Sequence, residues 1–233
     1  MLEVQALDAW YGQAQILYGV SLAVGAGECV ALVGRNGAGK STTMKSIMGL
    51  MARKHGRITF RGRDISTLPP YRIGRLGLGW VPEDRRIFTD LTVRENLAVA
   101  RQPPREGAPE WTPERRYALF PNLGAMPDRP GGRMSGGEQQ MLTVARTLMG
   151  NPYLVLLDEP SEGVAPIIVE EMARMIVALK QAGVAILLSE QNLHFARLVS
   201  DRAVVLEKGE VKFAGAMEAL MSDEALLRTH LSV

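Results

Sequence analysis

The sequence predicts an α/β fold built on a mostly parallel sheet, and three observations lead there. Cys29-Val30-Ala31-Leu32-Val33, Leu154-Val155-Leu156-Leu157 and Val184-Ala185-Ile186-Leu187-Leu188 are short, continuously apolar runs. That is the pattern of strands covered on both faces. Each run stops abruptly, at Gly34, at Asp158-Glu159 and at Ser189-Glu190-Gln191. Between the second and third, Ile168, Met172, Met175, Ile176 and Leu179 recur at helical spacing, with Glu170, Glu171, Arg174 and Lys180 on other faces. This is a crossover helix.

The remaining elements follow in chain order. Leu2 to Leu7 roughly alternates, Ser21 to Val24 precedes Gly25-Ala26-Gly27, and Gly56 to Phe60 is a further short candidate strand. Together they predict a small antiparallel sheet at the edge of the core. A helix is expected over Thr42 to Leu50. Seven of the 13 prolines fall between Pro103 and Pro130, so this stretch cannot be sheet interior. Thr92-x-x-Glu95 is a capping box, and Thr112-Pro113 is an N-cap followed by proline at the first helical position. An α-helical subdomain is therefore expected over residues 84–150, inserted between core segments 1–83 and 151–233.

Composition narrows the function. The 233 residues are 46% hydrophobic and 22% charged, and Lys+Arg 27 against Asp+Glu 25 leaves a net charge of only +2. A dedicated nucleic-acid binder normally carries a basic surplus or stripe, so no nucleic-acid partner is expected. The single cysteine, Cys29, excludes an internal disulfide framework and a cysteine-cluster metal site. A reducing, cytosolic compartment is the expectation. The start lacks the basic and apolar stretches of a signal peptide. The uncharged run from Ala9 to Gly27 is too polar, with four Gly, two Gln and two Tyr, to span a bilayer. Work at a membrane would need other chains.

Gly34-Arg35-Asn36-Gly37-Ala38-Gly39-Lys40-Ser41 fits G-x-x-x-x-G-K-[ST] between a strand and a helix. Glycines let backbone N–H groups turn inward around phosphate oxygens, and the helix adds its positive end. Lys40 is placed to reach the β- and γ-phosphates and Ser41 to put its hydroxyl on Mg²⁺. A coincidental glycine turn is the competing reading, but the strand-and-helix context is the one the motif requires. Asp158-Glu159 closes a strand expected beside this loop. Asp158 would hold Mg²⁺, and Glu159, one residue on, would orient and polarise the attacking water. An acidic turn capping the next helix is the alternative for an isolated Asp-Glu.

Ser135-Gly136-Gly137-Glu138 precedes a helix whose Met141, Leu142, Ala145, Leu148 and Met149 share one face. A capping box accounts for Ser135 and Glu138. It does not account for two glycines in a first turn, where they cost stability; close approach of an anion would.

Met134-Ser135-Gly136-Gly137-Glu138-Gln139-Gln140 resembles the ABC signature. With the phosphate loop before it and Leu154 to Glu159 after it, nearly the whole chain resembles an ABC-transporter nucleotide-binding subunit. The resemblance implies a P-loop NTPase, RecA-like core that binds ATP with Mg²⁺. It implies a head-to-tail dimer, of the chain with itself or with a sister ATPase subunit. Each ATP would lie between Gly34 to Thr42 of one subunit and Ser135, Gly136 and Gly137 of the other. Two transmembrane permease subunits and, indirectly, a periplasmic binding protein would complete the system at the cytoplasmic face of the membrane. By the same resemblance Tyr11 would stack on adenine, with Trp10 as competitor, and Glu83 takes the place of the usual Q-loop glutamine as a ligand to Mg²⁺ or water. Gln191 stands where a switch histidine is usual, with His194 a turn farther on. Ala165 replaces the usual aspartate of the D-loop, and Glu162 is a further departure.

These departures together resemble the second ATPase subunit of prokaryotic branched-chain amino-acid importers, whose relatives serve urea and short amides. Export by a related ATPase is an alternative. A repair or translation ATPase is disfavoured by the lack of a coiled coil or second cassette. A GTPase is disfavoured by the lack of [NT]-K-x-D. In this setting Arg85, Arg86 and Phe88 are the expected permease contacts.

Overall fold

The structure is a computed structural model that describes residues 1–109, 111–112, 115 and 118–231. Two sheets pack on a shared core. One has the order β2-β1-β4-β5 and is antiparallel. It comprises β1 (Leu2–Tyr11), β2 (Ala14–Val24), β4 (Arg53–Phe60) and β5 (Arg63–Asp64). The second has the order β10-β9-β3-β8-β7-β6. Its strands are β3 (Cys29–Val33), β6 (Leu78–Val81), β7 (Leu154–Asp158), β8 (Ala185–Glu190), β9 (Arg202–Glu207) and β10 (Glu210–Ala216). All its pairings are parallel except β10 against β9.

Strand alternation divides the core. Leu154, Leu156, Ala185 and Leu187 face a cluster with Met44 and Ile47 of α1 (Lys40–Ile47) and Leu2, Leu7 and Leu17 of the antiparallel sheet. Val155, Leu157, Ile186 and Leu188 face the other way. There they meet Leu142, Ala145 and Leu148 of helix Gly136–Leu148 and Met172, Met175, Ile176 and Leu179 of helix Pro166–Gln181. A strand buried on both faces must be apolar at every position, which is why β7 and β8 read as unbroken runs.

Boundaries differ from expectation in physically explicable ways. β2 begins at Ala14, not near Ser21, because pairing with β1 (Tyr11↔Ala14, Trp10↔Gln15) carries its polar first half. α1 starts at Lys40 and is over by Met48, ahead of Gly49 at φ +72°. β6, β9 and β10 lie outside the expected strands: β6 is four residues long, and β10 alternates with no fully buried position. Of the helix start expected at Thr112-Pro113, Pro113 lies outside the described residues; Thr112 Oγ1 accepts from the Arg115 N–H at 3.3 Å.

Among the described residues, the chain between β6 and β7 contributes no strand. It holds α3 (Val93–Val99), α4 (Pro121–Gly124) and α5 (Gly136–Leu148), with α2 (Pro70–Arg75) preceding β6. Both capping boxes form: Thr92 Oγ1 accepts from Glu95 N and Ser135 Oγ from Glu138 N, each glutamate bonding back to the cap. The remaining helices used below are α6 (Pro166–Gln181) and α7 (Leu193–Val199).

Candidate active site

Register brings the polar strand ends to one edge. In the parallel sheet Asp158 pairs with Ser189, and Val33 with Glu190. β8 thus separates β7 from β3, so the Asp158 strand is not the sheet neighbour of the strand feeding the phosphate loop. Its end still reaches the loop, because α1 begins above that edge: Ser41 Oγ donates to Asp158 Oδ1 at 3.1 Å.

The loop leaves β3 at Gly34 and enters α1 through Gly39, whose φ is +108°. An L side chain is strained there, and a Cβ would also lie 2.6 Å from Leu17 Cδ2. Lys40 is buried and folds back along the loop. Its Nζ donates to the carbonyls of Gly34 (2.7 Å) and Arg35 (3.2 Å) and pairs with Glu159 Oε1 at 3.0 Å.

Asp158 accepts a second hydroxyl, from Ser189 Oγ at 2.6 Å. Burial pushes its carboxyl up from the usual range, and the bonds from Ser189 and Ser41 oppose this. Ser41 and Glu83 line one cleft and buried Asp158 sits behind the Ser41 hydroxyl, so two carboxylates and a hydroxyl make an all-oxygen donor set. It fits a hard divalent cation such as Mg²⁺ that keeps water and phosphate oxygens as its other ligands.

Glu159 has φ +46°, the left-handed region for a non-glycine residue. Its N–H is held by Ser189, by the carbonyl at 3.1 Å and the hydroxyl at 3.2 Å. Its carboxylate is engaged on both oxygens: Lys40 holds Oε1, and Gln191 Nε2 donates to Oε2 at 2.6 Å. Burial alone would raise Glu159; the bonds from Glu162, Gln191 and Lys40 outweigh it and hold the group below the usual carboxylate range. Glu162 moves the other way. Its hydrogen bond to Glu159, then burial and the neighbouring Glu159, Glu83 and Glu190 charges, push it up to about 7.

Lys40, Ser41, Glu83, Glu159 and Glu162 line an open cleft of about 360 Å³ with Tyr11, Asn36, Gly37, Gly39 and Thr42. Tyr11 is 49% exposed at the end of β1. Trp10 is engaged elsewhere, edge-on to His55 at 5.3 Å and under Arg53 at 4.7 Å, so Tyr11 is the free aromatic face. Arg35, Asn36 and Gln191 also border a second recess with Gly34, while Ala38 is buried beneath the loop. Ser135, Gly136 and Gly137 do not line the cleft; they sit at the N-terminus of α5, with Ser135 exposed. His194, exposed on α7, does not line it either.

Ser189, Glu190 and Glu162 carry no motif of their own, yet they organise the site. Buried Glu190 accepts N–H bonds from Ser161 (3.0 Å), Gln191 (3.1 Å) and Asn192 (3.2 Å), and so fixes the two loops that follow β7 and β8. The available signal was their position at the polar end of an apolar run. Arg86 and Phe88 are exposed, as expected of contact residues, but Arg85 is half-buried against α5.

A family model described as ABC transporter matches residues 17–162. The chain is 39% identical, over 99% of both chains, to the high-affinity branched-chain amino acid transport ATP-binding protein BraG of Pseudomonas aeruginosa. It is 34% identical to the lipopolysaccharide export system ATP-binding protein LptB of Haemophilus influenzae, over 99% of this chain and 97% of that one. Among solved structures, a nucleotide-free ATP-binding cassette from an ABC transporter superposes with a TM-score of 0.83 at 25% identity, covering 100% of this chain and 98% of the other.

Proposed function

This chain belongs to the ABC transporter family, and from that membership we propose that it is the ATP-hydrolysing subunit of a branched-chain amino-acid importer, acting in a head-to-tail ATPase dimer. The family makes it an ATPase. The observation that carries the catalytic reading is the convergence of Lys40, Ser41, Asp158, Glu159 and Gln191 through direct contacts at one sheet edge. The transported class rests on the end-to-end similarity to BraG.

In this reading residues 1–83 and 151–233 are the core and 84–150 the helical subdomain. The N–H groups from Gly34 to Thr42 cradle the phosphates. Lys40 exchanges Glu159 and the loop carbonyls for phosphate oxygens. Released from Lys40, Glu159 accepts a hydrogen bond from the attacking water and takes its proton as the water oxygen bonds to the γ-phosphorus and the bond to the β–γ bridging oxygen breaks, leaving ADP and phosphate. Gln191, freed with it, donates its amide to the γ-phosphate but cannot shuttle a proton. Tyr11 stacks on adenine, worth about 1–3 kcal/mol by analogy with base–aromatic contacts. Ser41, Asp158 and Glu83 would hold Mg²⁺, which would supply positive charge to offset that of the phosphates. Ser135, Gly136 and Gly137 close the site from the other subunit. A sister ATPase subunit or a second copy is the partner, with two permease subunits at the cytoplasmic side of the cell membrane and a periplasmic binding protein upstream.

The test of the catalytic reading is Glu159→Gln, which keeps shape and removes the base. Calorimetry should find Mg-ATP binding near normal while phosphate release stops; turnover at the wild-type rate would remove Glu159 from this role. Substrate class is tested by uptake in a strain lacking this chain. Loss of leucine, isoleucine and valine uptake supports the proposal, and loss of urea or short-amide uptake alone assigns the chain to that branch. The similarity to LptB supports a second reading, export; unchanged uptake of all these solutes would favour it.

A further inference from the structure

The segment after β6 is strapped to the helix that carries the twin glycines. Arg85 and Arg86 both adopt left-handed backbone, φ +62° and +50°. Such a pair of non-glycine residues persists only where the surroundings hold it. Here α5 holds it: Thr143 Oγ1 donates to the Arg85 carbonyl at 2.7 Å, and Arg146 Nη2 donates to the Arg86 carbonyl at 2.6 Å. The Arg146 guanidinium then lies 5.0 Å from the Phe88 ring centre.

This turn aims the Arg85 side chain along α5 to its first turn. A Cβ built on Gly136 would lie 2.6 Å from Arg85 Nη1, 3.3 Å from Cζ and 3.4 Å from Nη2. The guanidinium therefore lies against the bare Cα of Gly136. Among the described residues it has no hydrogen-bond or ion-pair partner. The nearby acids are committed: Glu138 accepts the Ser135 N–H at 2.7 Å and faces Arg129 at 3.7 Å, and Asp84 pairs with Arg86 at 2.8 Å. Among the described residues, a cation without an ion-pair partner thus stands beside the positive end of a 13-residue helix.

We propose that Arg85 is a further ligand for the terminal phosphate of the nucleotide held by the opposing subunit, acting in trans beside Ser135, Gly136 and Gly137. The proposal rests on the head-to-tail reading above. A guanidinium presents two parallel N–H donors to a phosphoryl group, and donors placed where charge develops accelerate its transfer. Gly136, lacking a side chain, leaves the space in which the guanidinium and a phosphate can both approach the helix end. No new covalent step is involved; the water attack is unchanged and Arg85 neutralises charge on the departing phosphoryl group.

The experiment uses the tagged chain purified with its co-purifying partners. Arg85→Met should lower kcat on the order of 100-fold and abolish trapping of ADP with vanadate, a stand-in for the γ-phosphate in transfer. Arg85→Lys, which keeps a charge but not the fork, should restore part of both. ATP affinity of the isolated chain should stay within about twofold, because Arg85 does not line its own cleft. A kcat within twofold of wild type for Arg85→Met, or equal losses for Met and Lys with a fall in melting temperature, overturns the proposal. Ser135→Tyr, which blocks the helix end, separates the two levels. If it leaves turnover intact, the head-to-tail reading falls and takes the proposal with it; if it stops turnover while Arg85→Met does not, the proposal alone falls.

Discussion

At the scale of single residues, the proton between Glu159 and Glu162 makes a pH prediction. Glu162 is raised to about 7 in the folded chain from an ordinary 4.5. A raised group binds its proton more tightly when folded. Its stabilising contribution is therefore complete below about 4.5 and is lost as pH rises through about 7. Glu159, held low, works in the opposite sense and loses its contribution as pH falls. Without nucleotide or Mg²⁺, the melting temperature should decline between pH 5.5 and 8. Glu162→Gln, whose amide donates at every pH, should flatten that decline; the effect is small because Glu162 is exposed and screened. An equal slope in both proteins would remove the shared proton. Burial pushes the Cys29 thiol up to about 12, so thiol reagents should label the native chain orders of magnitude more slowly than the unfolded chain. Little of this was legible in the sequence. Glu162 read as a departure without consequence, because its partner Glu159 and the buried lysine Lys40 meet only after β3, β7 and β8 are aligned. The choice between Trp10 and Tyr11 stayed open for a similar reason: Arg53 and His55, which engage Trp10 and leave Tyr11 uncovered, arrive on β4.

At the scale of elements, local signals were the most legible. The capping boxes at Thr92 and Ser135 are contained within four residues each and form as expected. Ser135→Ala removes the side-chain acceptor for Glu138 N and should cost about 1 kcal/mol of stability by chemical denaturation. Gly39→Ala should do more, since φ +108° and the Leu17 contact both oppose a side chain there; loss of Mg-ATP binding by calorimetry is the expected readout. The strands missed are those whose reason for existing is non-local. β6 has four residues and is a strand because Leu78, Gly79, Trp80 and Val81 pair with Leu154 to Leu157. The twin glycines were read as room for an anion. The structure adds a packing reason, since a Cβ on Gly137 would lie 2.7 Å from Ile168 Cγ1 on α6.

At the scale of the whole molecule, the parallel sheet is the wall between two cores, and its central strands serve both. Leu156 faces α1 and the antiparallel sheet, while Val155 and Leu157 face α5 and α6. Leu156→Ala should therefore destabilise the chain by about 2–5 kcal/mol. It should also weaken nucleotide binding out of proportion to its distance from the cleft, because α1 rests on it; urea denaturation and calorimetry measure the two effects separately. The α/β class, the two-sheet plan and the order of the motifs were legible because periodicity and punctuation are properties of the chain itself. The strand order was not: β8 enters between β3 and β7 although it follows both in sequence.

In the proposed mechanism the Lys40–Glu159 contact has an economic meaning for the cell. Each of the two groups that reading needs most is held by the other, 3.0 Å apart. On that reading the base is released only when an incoming triphosphate draws the lysine off, so the fuel itself unlocks the group that would spend it.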